Sequence, residues 1–305
     1  METIKERNER LHKKAEELRA SGVKLYSISR LNSYHDCEYG YWNTYIDGNR
    51  GKGNVYSFAG SEIHEILEFI YLSKANKEDL VTRLNDTIIT AELQDIKFPS
   101  ESIKDSWCKD MFHFVNNFEK HDKKCETEVY FLFEIEEGIW INGYIDIFTF
   151  NEDGTVDVND YKTSSKFQKK DMVHHSRQLT IYKLALEDMG YKVKNSAWNM
   201  LKYCSIKIIT IDKKTKEEKV TYTISQRGKI VSTLQAKINK MLLDYGMDEL
   251  EANFVLEKAI EENSLEKLPK EIQDRFEISE YLLEHEVTDE VISECKKYIR
   301  DTVKE

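Results

Sequence analysis

The stretch from Gly143 to Thr163 constrains this chain more than any other part of it. Gly143-Tyr144-Ile145-Asp146-Ile147-Phe148-Thr149-Phe150 is rich in β-formers, and Thr155-Val156-Asp157-Val158-Asn159-Asp160-Tyr161 is a second such run. Between them lies Asn151-Glu152-Asp153-Gly154, a strong turn signal, so the two runs read as a hairpin. Asp146 stands inside an otherwise apolar strand. Asp160 and Lys162 stand at the end of the next, and their spacing puts both on one face. In a hairpin, Asp146 falls within about one residue of opposite Asp160. Two- or four-residue loops would leave the carboxylates on opposite faces, whereas a three-residue loop or a bulge brings all three side chains together.

Two carboxylates and an amine on one face suit the hydrolysis of a phosphodiester. Carboxylate oxygens are hard ligands for Mg²⁺ or Mn²⁺. Such an ion lowers the pKa of a bound water, and a lysine beside it can orient that water or stabilise charge on the phosphate. The same residues also fit a plain Asp–Lys ion pair at a sheet end with an unrelated aspartate nearby.

The rest of the chain frames this hairpin. Ile4–Ala20 carries Leu11, Ala15 and Leu18 at helical spacing, and Ser21-Gly22 ends that helix. Ser27 is placed to cap a helix bearing Leu31, Tyr34 and Tyr41, and Gly60-Ser61 reads as the start of a helix through Leu72. Residues 80 to 120 read as further helix, and Glu128–Glu134 as a strand before the hairpin. A helix spans roughly Lys169 to Met189 and closes at Gly190. Val193–Met200 and Ser205–Ile211 look like two strands, and Glu218–Ile224 pairs back on them. From Gln226 onward the chain reads as helix throughout, with an acidic surface. The order predicts an α/β fold with a mixed central sheet and helical extensions at both ends.

Composition narrows the setting. The 305 residues carry a net charge of −11, which disfavours nucleic-acid binding over the whole surface but leaves room for a local basic groove. The five cysteines are scattered, odd in number and without a C-x-x-C pair, as expected of reduced thiols. No apolar run reaches the roughly 20 residues that span a bilayer, and the N-terminus lacks a secretory signal. A cytoplasmic protein without membrane contact is the expectation. No G-x-x-x-x-G-K-[ST] loop occurs, since Gly51-Lys52-Gly53 lacks the spacing.

Five short motifs, in order, resemble the PD-(D/E)XK nucleases, and within them the RecB-like and CRISPR-adaptation-nuclease branch. They are Ser27-x-Ser29-x-Leu31-x-x-Tyr34-x-x-Cys37, Gly60-x-x-x-His64-Glu65, Gly143-x-x-Asp146, Asp160-Tyr161-Lys162-Thr163 and Gln178-x-x-x-Tyr182, spread over residues 27 to 185. The resemblance implies a restriction-endonuclease-like core over residues 23–225, with a helix at 1–22 and a helical extension at 226–305 packed on the core. It also implies that His64, Asp146, Asp160 and the Tyr161 carbonyl hold Mg²⁺ or Mn²⁺, and that Lys162 is the catalytic lysine. Gln178 and Tyr182, one helical turn apart, would support the site or contact DNA.

Each of these residues also has a plainer reading. His64 fits a cap or a core, and Gln178 and Tyr182 fit a half-buried helix. Lys166, Lys169, Lys170, His174, His175 and Arg177 read as contacts to DNA phosphates beside the site, or as a solvated face. Tyr39, Tyr41, Trp42 and Tyr45 could stack on bases, but core packing is the expected role. Many relatives in this branch hold an iron–sulfur cluster on one early and three late cysteines. Here only Cys204 and Cys295 follow the Gln-Tyr helix, and Glu38 follows Cys37 where proline is common, so no iron–sulfur cluster is expected. The resemblance implies a stand-alone, phage-type DNA exonuclease acting on single strands or duplex ends in recombination, repair or replication, with a recombination or replication protein as possible partner. A structure-specific or restriction-type endonuclease and a non-catalytic nucleic-acid-binding subunit are the alternatives.

Overall fold

A computed structural model describes residues 2–49, 53–168, 172–212, 215 and 217–304. Lys169 and Lys170 lie outside the described residues. The chain begins with α1 (Ile4–Ala20), β1 (Leu25–Tyr26), α2 (Ile28–Asp36) and α3 (Glu38–Tyr41), followed by a wide turn of π-helix at Trp42–Ile46. Three longer helices follow: α4 (Val55–Tyr71), α5 (Lys77–Leu93) and α6 (Glu101–Asn116). Then come β2 (Cys125–Glu136), β3 (Ile139–Phe150), β4 (Val156–Lys162), α7 (Met172–Asp188), β5 (Val193–Ile211) and β6 (Glu218–Gln226). The last elements are α8 (Ile230–Tyr245), α9 (Glu249–Glu262), α10 (Lys270–Gln273), β7 (Phe276–Glu284) and α11 (Asp289–Lys304).

The strands make one mixed seven-stranded sheet with helices packed on it, which is the α/β architecture expected. β3 lies antiparallel to both β2 and β4, while β4 and β5 are parallel. Parallel neighbours need a long crossover, and α7 supplies it. β5 runs unbroken where two strands were expected. Its residues 204–208 pair with β6 on one edge and with β7 on the other, and that double pairing continues the strand. β7 corrects the reading of an all-helical tail. Its glutamates give it the look of a surface helix, and the free edge of β5 decides the conformation instead.

Two main cores flank the sheet. One joins Phe148, Val158, Trp198 and Met200 to Leu179 and Tyr182 of α7, and to Ile299 of α11. The other joins Ile147, Tyr161 and Leu201 to Ile63 and Leu67 of α4 and to Trp107 of α6. Ile145 and Ile147, two apart on β3, belong to different cores, so the strand turns over at Asp146. A further core packs the outer half of β5 on α8 and α9. The π-helical turn contradicts one expectation. No residue from Glu38 to Ile46 is buried, so Tyr39, Tyr41, Trp42 and Tyr45 do not pack the core.

Candidate active site

The hairpin closes with the loop length the site requires. The Asn151 amide donates to the Thr155 carbonyl at 2.9 Å, leaving a three-residue loop of Glu152, Asp153 and Gly154. Gly154 takes φ +79°, a conformation that costs glycine little. From this loop the register runs through Phe150 opposite Val156 to Ile147 opposite Asn159. The ladder ends there; Asp146 and Asp160 are the next residues on the two strands, close enough for the Asp160 charge to act on the Asp146 carboxyl. There the two strands part, and the Asp146 side chain fills the break, its Oδ2 accepting the Tyr161 amide at 3.1 Å.

Asp160 is fully buried, and the Lys162 Nζ lies 2.6 Å from its Oδ2. Neither carboxylate oxygen of Asp160 has a hydrogen bond of good geometry among the described residues. Lys162 also donates to Gln178 Oε1 at 3.1 Å, and Gln178 Nε2 donates to the Tyr182 hydroxyl at 2.8 Å. The Gln178 amide is thereby oriented from both ends. Tyr182 is buried, with the Phe131 ring edge-on to it at 6.1 Å between centroids. The same Phe131 ring covers Gly143, where an added Cβ would lie 2.8 Å from it. That contact explains the glycine that begins the Gly143-x-x-Asp146 sequence.

His64 arrives from the other side of the sheet. It sits in the middle of α4 rather than at a helix start, because the helix begins at Val55, capped by Asn54. Gly60 resembles a helix start because glycine is poor in helix interiors. Its reason is tertiary: an added Cβ would lie 3.2 Å from Thr163 Oγ1, where α4 crosses the end of β4. His64 Nδ1 lies 3.4 Å from Asp146 Oδ2, and the Tyr161 main chain hydrogen-bonds the same ring. The Tyr161 side chain turns away into the other core, where its ring meets His64 edge-on and its hydroxyl pairs with Tyr71.

The electrostatics follow from burial. Burial, followed by the Asp160 charge, pushes the Asp146 carboxyl well above its ordinary value. Burial lowers the His64 imidazole, and the Asp160 charge opposes that. The Tyr182 hydroxyl is raised by burial and by the same carboxylates, so it stays protonated. Two buried carboxylates face one lysine, and the site is short of positive charge.

One acid escaped the sequence reading. Glu128 belongs to the missing rung of β2 opposite Asp146, since Thr127 pairs Ile147 and Val129 pairs Ile145. It adopts φ +48°, and Asn8 of α1 holds its carbonyl at 3.2 Å. Burial and then the Glu68 charge push Glu128 up to about 7. The available signal was an acid inside an apolar strand, but only the β2–β3 register shows what it faces.

The basic residues divide. Lys166 is exposed, its Nζ over the Tyr281 ring at 4.6 Å. Arg177 is engaged elsewhere: it lies 3.5 Å over the Tyr298 ring and donates to Asn32 at 3.0 Å, fastening α11 to α7 and α2. His174 pairs with Asp36, and His175 stacks on Phe167.

Among the described residues no three His, Cys, Asp or Glu side chains converge as a formed metal cage. His64 and Asp146 make a pair, and Asp160 is turned to Lys162. The donor set nevertheless fits a hard divalent ion. It offers two carboxylates, with Asp160 Oδ1 buried and unpartnered among the described residues, an imidazole and a main-chain carbonyl.

Fold and site together define an α/β protein with a two-carboxylate, one-lysine centre at the splayed end of a β-hairpin. The family model of the PD-(D/E)XK nuclease superfamily matches residues 26–295, and the chain belongs to that superfamily. Its nucleases generally use divalent metal ions, and the membership makes this chain a nuclease, a phosphodiesterase. A solved structure described as "Crystal structure of SSO0001" is 17% identical, covering 68% of this chain and 85% of that chain at a TM-score of 0.24. A search of curated proteins finds no match. No helix among the described residues is long and apolar enough to cross a membrane.

Proposed function

We propose that the chain is a cytoplasmic DNA exonuclease of the RecB-like kind that processes single strands or duplex ends in recombination, repair or replication. One observation carries the catalytic reading: the Asp146 and Asp160 carboxyls lie near each other where β3 and β4 part, with Lys162 held between Asp160 and Gln178. Five free thiols support a reducing compartment, and Cys204 and Cys295, buried in different cores, support a cluster-free protein.

His64, Asp146, Asp160 and the Tyr161 carbonyl would hold Mg²⁺ or Mn²⁺. The bound ion would lower the pKa of a water and neutralise charge on the phosphate. Lys162, held by Asp160 at 2.6 Å, would direct an N–H at the water or at a non-bridging oxygen. Water would add to phosphorus and lose a proton to solvent, the bond to the leaving oxygen would break with its electron pair, and that oxygen would take up a proton in return. Gln178 fixes the direction of Lys162, and Tyr182 fixes Gln178. Lys166, with Lys169 and Lys170, would meet backbone phosphates beside the site.

The test is digestion of end-labelled linear DNA, single- and double-stranded, beside a closed circle, with Mn²⁺, Mg²⁺ or EDTA. Metal-dependent loss of linear DNA alone, absent in Lys162→Ala, is the expected result. Cutting of the circle would make the protein an endonuclease on the same chemistry. No cleavage of any substrate by pure wild type would overturn the catalytic reading.

A further inference from the structure

We propose that the aromatic hollow behind α2 is a binding site for an unpaired nucleotide of the DNA strand, separate from the catalytic carboxylates. The proposal rests on the nuclease reading for its choice of ligand. The hollow has a volume of about 640 Å³, within the range that takes a ligand of nucleotide size. Tyr26, Tyr34, Tyr41 and Trp42 line it. Trp42 is 50% exposed, although an indole of that size is ordinarily well covered. No residue of the segment that carries Tyr41 and Trp42 packs a core, so these rings have another use.

The charges of the hollow point the same way. Arg19, Lys24 and Arg30 line it against the single acid Glu38, on a chain whose net charge is −11. A local basic patch on an acidic protein is a place for an anion. Arg30 is also set for stacking: its guanidinium lies over the Tyr41 ring at 5.4 Å and over the Tyr45 ring at 5.3 Å, and its Nε donates to the Tyr41 hydroxyl at 3.0 Å. Ring faces for a base and cations for its phosphate are the two elements of single-strand recognition. A duplex hides its base faces within its own stack, so the ligand is an unpaired strand.

The position ties the hollow to the site. α2 presents Arg30, Leu31 and Tyr34 to the aromatic hollow. From the same helix, Ser29, Asn32 and Ser33 line a second hollow that reaches Gln178. One helix therefore separates the stacking rings from the residue that orients Lys162.

Binding of a short fluorescent single-stranded oligonucleotide to the full chain, in EDTA to prevent cleavage, tests this. Wild type should bind the strand with quenching of Trp42 emission, and bind a blunt hairpin duplex or an abasic strand of equal length far less. Trp42→Ala should weaken binding by roughly 5- to 100-fold, Arg30→Ala should weaken it too, and Trp42→Phe should restore it at unchanged melting temperature. Equal affinity for the abasic strand, or wild-type binding by Trp42→Ala, would overturn the proposal. Absence of binding by wild type would overturn it as well and leave this face to a protein. Strand binding through Trp42 by a protein that cleaves nothing would uphold the hollow while removing the nuclease reading. Cleavage with Trp42→Ala binding as wild type would do the reverse.

Discussion

Asp146 Oδ2 accepts the amide of Tyr161, the residue next to Asp160, at 3.1 Å. The two carboxylates are thereby fastened to one another through the main chain of β4, at the point where it leaves β3. The Asp160 charge, after burial, raises the Asp146 carboxyl above its ordinary value.

Removing that carboxyl should stabilise the metal-free protein. Asp146→Asn should raise the melting temperature by a few degrees without metal, since it removes a carboxyl that burial and the Asp160 charge disfavour, whereas Asp160→Asn should not, because it leaves Lys162 without its counter-charge. Both should lose cleavage, and both should lose the stabilisation that Mn²⁺ confers on wild type. Thermal melts with and without Mn²⁺ check this, and a metal-free decrease for Asp146→Asn would refute it.

The Lys162–Gln178–Tyr182 relay predicts a graded loss. Lys162→Ala should lower kcat by about 10²-fold or more, as for loss of a charged group at the reacting phosphate. Gln178→Ala should cost roughly 10-fold, because Lys162 keeps Asp160 but loses its second anchor. Tyr182→Phe should cost less still. Single-turnover rates settle the order, and metal affinity should stay near wild type in all three.

Glu128 predicts a pH dependence. Its carboxyl is raised from the ordinary value to about 7, so the folded state binds its proton more tightly than the unfolded state does. Its contribution to stability is therefore full below the unfolded value and lost as pH rises through about 7. Glu128→Gln should melt higher than wild type at pH 8 and close to wild type at pH 5. Parallel melting curves at the two pH values would contradict it.

Gly143→Ala should destabilise by about 1–3 kcal/mol through overpacking. The added Cβ would meet the buried Phe131 ring at 2.8 Å, and that ring leans on Tyr182. Phe131→Leu in the same chain should recover part of the loss. Denaturant titration of the two single variants and the double variant measures the coupling.

Lys166 and Arg177 should separate. Lys166→Ala should reduce the salt slope of DNA binding by about 1 without changing stability. Arg177→Ala should instead lower the melting temperature, because Arg177 fastens Tyr298 of α11 to Asn32 of α2. Affinities measured across salt concentrations, beside melts, distinguish the two.

Much of the site was legible because its signals are local. Asp160 and Lys162 share a face by strand alternation, and the turn at Asn151–Gly154 marks a hairpin whichever core covers it. Membership in the superfamily, an α/β fold and the strands that carry Asp146 and Asp160 all follow from such short-range patterns. Tertiary structure alone decided the rest. The three-residue loop set the register that carries Asp146 toward Asp160, the close crossing of α4 over Thr163 favours Gly60 inside a helix, and pairing across β3 placed Glu128 opposite Asp146. A free edge on β5 turned an acidic stretch of the tail into β7, and the absence of any core beneath Trp42 left its ring exposed. Each of these depends on contacts between residues distant in the chain, whose energies exceed the local propensities by which a sequence is read.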